Sequence, residues 1–494
     1  MEMDVMDDKE LDKPIYNKKQ SQKKTKASKN KISKLLLLGL LCTIGLIIFL
    51  LFANYTSNPT NITNLEKEQK DGNNDQMDIH IVAIFRAQKE HETVHIINKK
   101  SLNSIKKMKI DGEIVSPIDQ YQFFIKGRHL VQFELNDDVT SFSGMFDGIH
   151  LLESITFSEK FNSEKITNMD YMFRNCKSLI EVDLSKLDTK NVKTMAFMFY
   201  DCTALVNLDL SNFNNENLIS MNRMFYGCSA LETINLNNFI TPLVEDMSYI
   251  FGSCYKLKML SLTSFDTRNV KSMRGMFERC KSLTFLNVKS FNTENVEDMA
   301  YMFNKCQSLK SIDVSKFKAP KVTTMISMFY HCKSVESLDL SNFGGEKVTE
   351  LDNIFEGCNS LEYVNFDNFN PKSLKKLNFV FHFCTSLTSV GLKNFQTGTI
   401  ESMTGMFHGC RSLKSIDLSS FDTHNVKNMA DMFNGCAALS NVDLSMLNTD
   451  SLTNPERMFD NCPKLKEGGI KLNKKSKEKF EGKIPNEIGV TFVD

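Results

Sequence analysis

The chain has 494 residues, too many for one ordinary core, so several domains or a repeat array are expected. Its apolar fraction of 41% and charged fraction of 24% exclude a disordered chain. Sixty Lys and Arg balance sixty Asp and Glu, so no overall basic field points to nucleic acid. The 38 Phe and 26 Met, against no Trp, are the skew expected when one short unit is copied many times.

The first twelve residues carry six acids, and residues 17–34 carry eight lysines and no acid. The run LLLLGLLCTIGLIIFLLFA follows over residues 35–53. As a helix, nineteen residues span roughly 28 Å, close to the ~30 Å hydrocarbon core of a bilayer. A cleaved signal peptide would be shorter and end in a small-x-small site, whereas only Ala53 precedes the polar residues here. The reading is a transmembrane signal anchor, with residues 1–34 as a cytoplasmic basic tail held inside by its lysines. The protein is thus expected in the plasma membrane, single-pass, with everything beyond residue 53 outside. Residues 54–77 read as a polar linker carrying two N-glycosylation triplets, Asn54-Tyr55-Thr56 and Asn61-Ile62-Thr63.

Residues 78–140 read as a small β-rich cap. Lys109 to Ile114 carry an Asp-Gly hairpin signal, and FFIKGRHLVQFEL suggests a second hairpin around Lys126-Gly127.

From Cys176 to Cys462 twelve cysteines recur at intervals of 26 residues; an earlier copy has Ile149 in that place. This makes thirteen copies over residues 141–465, and residues 466–494 are read as a C-terminal cap. In the copy NVKTMAFMFYDCTALVNLDLSNF, Val192, Met195, Phe199 and Cys202 fall at i, i+3, i+7 and i+10, the apolar stripe of a short helix. The residue before the first Met is Ser, Thr, Asp or Asn in eleven of thirteen copies, as an N-cap would be. Leu205, Leu208, Leu210 and Phe213 then give L-x-x-L-x-L-x-x-F, whose L-x-L part alternates as a half-buried strand. The expected fold class is an α/β repeat solenoid, leucine-rich-repeat-like: a curved parallel sheet, short helices on the other face, the β cap at the N-terminal end, and one transmembrane helix.

The unit M-x-x-M-F-x-x-C-x-S-L-x-x-L-D-L-S-x-F-D-T-x-N-V resembles the repeat of BspA-like leucine-rich-repeat surface proteins, most fully over residues 273–296 and 403–426. Departures fall in the D-T-x-N loop, at Thr241-Pro242, Ala319-Pro320, Gly344-Gly345 and Asn370-Pro371. The resemblance implies a surface-exposed ligand-binding or adhesive solenoid and names no ligand.

No two cysteines lie closer than 26 residues, which argues against zinc, and His331, His382 and His408 each neighbour a cysteine in one copy only. A disulfide ladder is harder to dismiss, but stacked equivalent side chains point in parallel, leaving their Cβ atoms too far apart. The cysteine is read as a buried small hydrophobe, like Ile149 in the first copy, so Cys280→Ser is expected to strand a buried hydroxyl. Met and Phe are core filler on the same grounds. The recurrent Asp of L-D-L (Asp183, Asp209, Asp313, Asp339, Asp417, Asp443) reads as a solvated stripe, with a polar floor for a ligand as the alternative.

No phosphate loop, nucleophile elbow or metalloprotease motif is present. The cap offers only His80, His91, His95 and His129 without an ordering pattern. The expected function is a membrane-anchored cell-surface binding or adhesion protein without cofactor or metal, its partners an extracellular protein or glycan, with no role for nucleic acid. A structural stalk is the alternative, and an enzyme in the cap the remote one. On the outward side of the strands, Met259 and Phe285 occupy the same site on neighbouring rungs and Tyr363 recurs three rungs on. With Lys258, Lys310 and Glu362 at the rim they are the candidate ligand contacts.

Overall fold

A computed structural model describes residues 77–465 and 469–494, which belong to one compact unit, Met77–Asp494. The expected basic tail, membrane segment and nearly all of the linker lie outside the described residues.

The unit begins with strands β1 (Ile81–Ala87), β2 (Glu92–His95), β3 (Ile105–Ile110), β4 (Glu113–Val115), β5 (Gln120–Phe123) and β6 (Gly127–Leu135). The Asp111-Gly112 turn joins β3 to β4, both residues at positive φ, as a two-residue hairpin requires. The second expected hairpin is absent: β5 pairs with β2, and β6 pairs with β1 and β3 in another sheet. The strand of the first repeat, β7 (Leu152–Phe157), pairs antiparallel with β1 and parallel with β8 (Glu181–Asp183). One sheet, in the order β4-β3-β6-β1-β7-β8, therefore runs from the cap into the array and covers its first edge.

Later copies contribute strands of two or three residues, among them β9 (Asn207–Asp209), β10 (Thr233–Asn235), β11 (Met259–Ser261) and β12 (Phe285–Asn287). Each pairs parallel and in register with its equivalent one copy away, as Leu260 with Leu286. The central residue points in and its neighbours out, the alternation expected of L-x-L.

The M-x-x-M-F-x-x-C segment is not a helix. The fold is a β-solenoid, and the expected α/β class with short helices on one face is corrected accordingly. Among the described residues there are only short 3-10 turns and a four-residue helix, Lys477–Phe480. Two residues per copy adopt the left-handed conformation, such as Phe197 (φ 58°) and Asp201 (φ 55°), and this recurs in all thirteen copies. The amides then divide their bonds. Met198, Tyr200 and Cys202 donate three residues back, to Met195, Phe197 and Phe199, while Met195, Phe197, Phe199 and Asp201 donate to Ser220, Asn222, Met224 and Tyr226 of the next copy. A helix would close all these bonds within one copy; this backbone ties each copy to its neighbour. The expected N-caps instead form parallel bridges between copies, as Thr194 with Ser220, and several, such as Asp298, accept the N–H two residues on. The apolar spacing is satisfied all the same: Met195, Met198, Phe199 and Cys202 are fully buried.

Stacking equivalent positions builds ladders. From Phe146 to Phe459 the rings of successive copies lie parallel, with centroids 5.3–6.0 Å apart. Each large apolar side chain buried this way contributes about 1.5–3 kcal/mol. All twelve array cysteines are free thiols. Each donates to the carbonyl of the Phe in the preceding copy at 3.0–3.2 Å, as Cys280 does to Phe251. In the D-T-x-N loop the Thr hydroxyl accepts a backbone N–H of the next copy and donates to the same residue's carbonyl, as Thr267 does with Asn292. The Asn of N-V donates to the preceding copy, as Asn295 does to the Arg268 carbonyl.

Two further strands, β17 (Ile470–Asn473) and β18 (Val490–Val493), extend the ladder in parallel beyond β16 (Val442–Asp443). Among the described residues no helix is long and apolar enough to cross a membrane. The expected single-pass plasma-membrane assignment is therefore not supported by the described residues, and its segment at residues 35–53 lies outside them.

Candidate functional site

The repeat places side chains in columns, one residue per copy, so any site must be built along a column or across two adjacent ones. The strand column holds the predicted contacts. Met259 and Phe285 are paired in register and stand exposed at 56% and 44%. Three copies earlier, Ile180 and Val206 form a second exposed apolar pair one residue upstream in the repeat, separated from the first by Glu232 and Thr233 of the intervening copy. Tyr363 is exposed too, but it lies between Ser337 and Ser389 and is not brought to the pair.

Lys258 reaches Glu232 at 2.6 Å, which holds one rim charge beside Met259. Its carbonyl accepts both the N–H and the hydroxyl of Thr284. Lys310 and Glu362 are exposed in the same column, joined through Glu336: its N–H donates to the Lys310 carbonyl, and its carbonyl accepts the Glu362 N–H. The recurrent Asp of L-D-L accepts the N–H of the Ser two residues on, as Asp209 does from Ser211 at 2.9 Å. The Ser hydrogen bond holds the carboxyls of Asp313, Asp417 and Asp443 below the usual range. These carboxylates shape the turn after each strand.

A second outward face, built of two columns on the turn segments, was missed. Tyr171 stacks on Phe197 at 5.1 Å and Tyr200 on Tyr226 at 5.2 Å. The Arg223 guanidinium lies between the rings of Phe197 and Tyr249, 5.6 and 4.9 Å from their centroids. Arg274 covers Tyr301 at 5.0 Å and donates to the Tyr249 hydroxyl at 3.2 Å. Read as helix positions these residues would be scattered and solvated; only stacking of left-handed turns collects them. The signal was present in the aromatic residues filling the x positions of M-x-x-M-F-x-x-C.

Further along this face, His382 lies 4.8 Å from His408 and 3.1 Å from a Glu356 oxygen. Burial pushes the His331 and His408 imidazoles down. Among the described residues no group of three or more His, Cys, Asp or Glu is arranged to hold a metal ion. In the cap, the His80 Nδ1 accepts the Leu135 N–H, and His129 bonds Asp111 and the Ile125 carbonyl while stacking on Phe123 at 4.0 Å. His91 packs edge-on against Phe124, and His95 contacts Gln120. These imidazoles are engaged separately and do not converge.

A family model described as "Mycoplasma protein of unknown function, DUF285" matches residues 140–261, 245–369 and 349–475. No curated protein matches the chain. Among solved structures, a leucine-rich repeat protein from Bacteroides ovatus ATCC 8483 is 21% identical, covering 72% of this chain and 88% of that one, with a TM-score of 0.47. A leucine-rich cell surface protein from Faecalibacterium prausnitzii A2-165 is 17% identical, covering 67% and 82%, with a TM-score of 0.29. The leucine-rich repeat protein of T. pallidum is 18% identical, covering 53% and 83%, with a TM-score of 0.20. Likenesses at this level carry no statement about function.

Proposed function

From the premise that the chain belongs to the DUF285 family of Mycoplasma proteins of unknown function, we propose that it is a binding protein which presents its BspA-like leucine-rich-type array to a protein or glycan ligand. The coarser statement, a ligand-binding or structural surface repeat protein, is what the family match and the repeat support. The finer one rests on the exposed register pair Met259 and Phe285. Single exposed apolar residues are ordinary on protein surfaces, but two in register, with a second pair, Ile180 and Val206, three copies away, make a recurrent apolar feature on otherwise polar strands. Lys258, Lys310 and Glu362 supply polar contacts at its rim, and Tyr363 is a separate, outlying contact. Catalysis has no place in this reading, because the imidazoles of the cap are each engaged structurally.

The test is Met259→Ser combined with Phe285→Ser in the full chain, assayed on immobilised matrix proteins and glycans. Binding should weaken tenfold or more, equivalent to about 1.4 kcal/mol, with thermal unfolding nearly unchanged. Undiminished binding would remove the strand strip as the contact. Absence of binding to every immobilised ligand would favour a purely structural role.

A further inference from the structure

Two charged groups on the turn face lack partners of opposite character. The Asp201 carboxylate is half-buried, pressed against the Gly227 backbone, and among the described residues no hydrogen bond or ion pair holds it. Burial pushes it above the usual carboxylate range, opposed only by the charge of Lys177. The Arg223 guanidinium, one copy on, is clamped between two rings and has no carboxylate partner among the described residues. They do not pair with each other. The Tyr200 phenol feels the charge of both and is stacked on Tyr226.

An acceptor without a donor and a donor without an acceptor, on adjacent copies of one aromatic face, fit a neutral ligand that offers both. Adjacent hydroxyls of a sugar do so: one donates to Asp201, another accepts from Arg223, and the sugar ring lies along the outer edges of the stacked aromatics. Spacing favours this over a peptide. Rings of adjacent copies stand 5.1 Å apart in one column (Tyr171, Phe197) and 5.2 Å apart in its neighbour (Tyr200, Tyr226). Side chains on one face of an extended peptide recur every ~6.8 Å and fall out of step. An extended glycan, advancing about one ring per unit, keeps step with the copies. We infer that the turn face from Tyr171 to Tyr301 is a binding face for a neutral polysaccharide, with Asp201 and Arg223 as its polar contacts. The inference rests on the ligand-binding reading above but uses a different face.

The experiment uses the full chain against a panel of neutral soluble polysaccharides (a β-glucan, a mannan and a galactan), by retardation in native gels and by tyrosine fluorescence. The chain has no Trp, and five of its eleven Tyr (Tyr171, Tyr200, Tyr226, Tyr249 and Tyr301) lie on this face, so the emission responds to its occupation. At least one polysaccharide should bind, with little change between low and high salt. Arg223→Met, which keeps the packing between the rings, and Asp201→Asn should each weaken binding tenfold or more without altering thermal unfolding. The Met259→Ser, Phe285→Ser variant should bind these glycans normally, which separates failure of this face from failure of the strand strip. Binding by no member of the panel, binding retained in both Arg223→Met and Asp201→Asn, or binding lost steeply with salt would each overturn the proposal.

Discussion

At the scale of single residues, the array cysteine is a donor as well as a filler. Its thiol supplies a second bond to a Phe carbonyl that already accepts a backbone N–H, as the Phe251 carbonyl accepts from both Cys254 and Cys280. The first copy has no copy before it and hence no carbonyl to receive a thiol, and there the position is Ile149. A serine hydroxyl can make the same bond, so the stranded hydroxyl expected from sequence does not arise. Cys280→Ala should cost about 1–2 kcal/mol in denaturant unfolding, and Cys280→Ser no more than that. A serine variant clearly less stable than the alanine one would show that the bond contributes nothing. Asn215 is the reverse case. It replaces the loop Thr, is fully buried, and neither its side-chain oxygen nor its nitrogen has a partner. Asn215→Thr restores the hydroxyl that bridges to the next copy elsewhere, and should raise stability by about 1–2 kcal/mol in the same assay.

At the scale of the element, the repeat spends half its turn amides on its neighbour, and this is where sequence reading failed. The spacing of Val192, Met195, Phe199 and Cys202 fits a helix, but the same residues also point inward from turns interrupted by two left-handed residues. The clue was the residue before the cysteine: Asn175, Asp201, Gly227, Gly357, Gly409, Gly435 and Asn461 are types that tolerate positive φ. Bulkier residues such as Phe383 at the same position hid the rule, since the inter-copy bonds and packing override their preference. The strand half was legible because L-x-L alternation has no competing reading. Burial also pushes the thiols up, to about 12 for Cys280 and Cys358 and about 11 for Cys462. In the unfolded chain a thiol ionises near its ordinary pKa of about 8.5. A folded pKa above the unfolded one stabilises fully below about pH 8.5 and less as pH rises toward 11–12, at about 1.4 kcal/mol per pH unit for each thiol. Unfolding midpoints should therefore fall steeply above about pH 9, and iodoacetamide should leave the native thiols unlabelled below that. A midpoint independent of pH between about 8 and 10 would contradict the protonated buried ladder.

At the scale of the whole unit, the buried repeat positions and the Asp111-Gly112 hairpin were legible, because a fixed period and a Gly turn survive any choice between helix and turn. Which residues share a face was not. The strand pair Met259 and Phe285 could be found from alternation alone, whereas Phe197, Arg223 and Tyr249 meet only once the turn geometry is known. The cap is locked to the array by charge as well as by strand pairing: Glu153 on β7 is buried between Arg86 of β1 and Arg128 of β6, and the Arg86 hydrogen bond holds its carboxyl below the usual range. All of this depends on copies joined by left-handed turns rather than packed as helices. Gly435 decides between them by sign. Its φ is +75°, and a Cβ there would meet only the Gly409 backbone and His408 at ordinary contact distances of 3.5–4.0 Å. The unfolding free energy of Gly435→Ala should therefore fall by about 1–2 kcal/mol, from backbone strain alone. An increase of about 1 kcal/mol, the gain of Ala over Gly inside a helix, would contradict the turn-built solenoid.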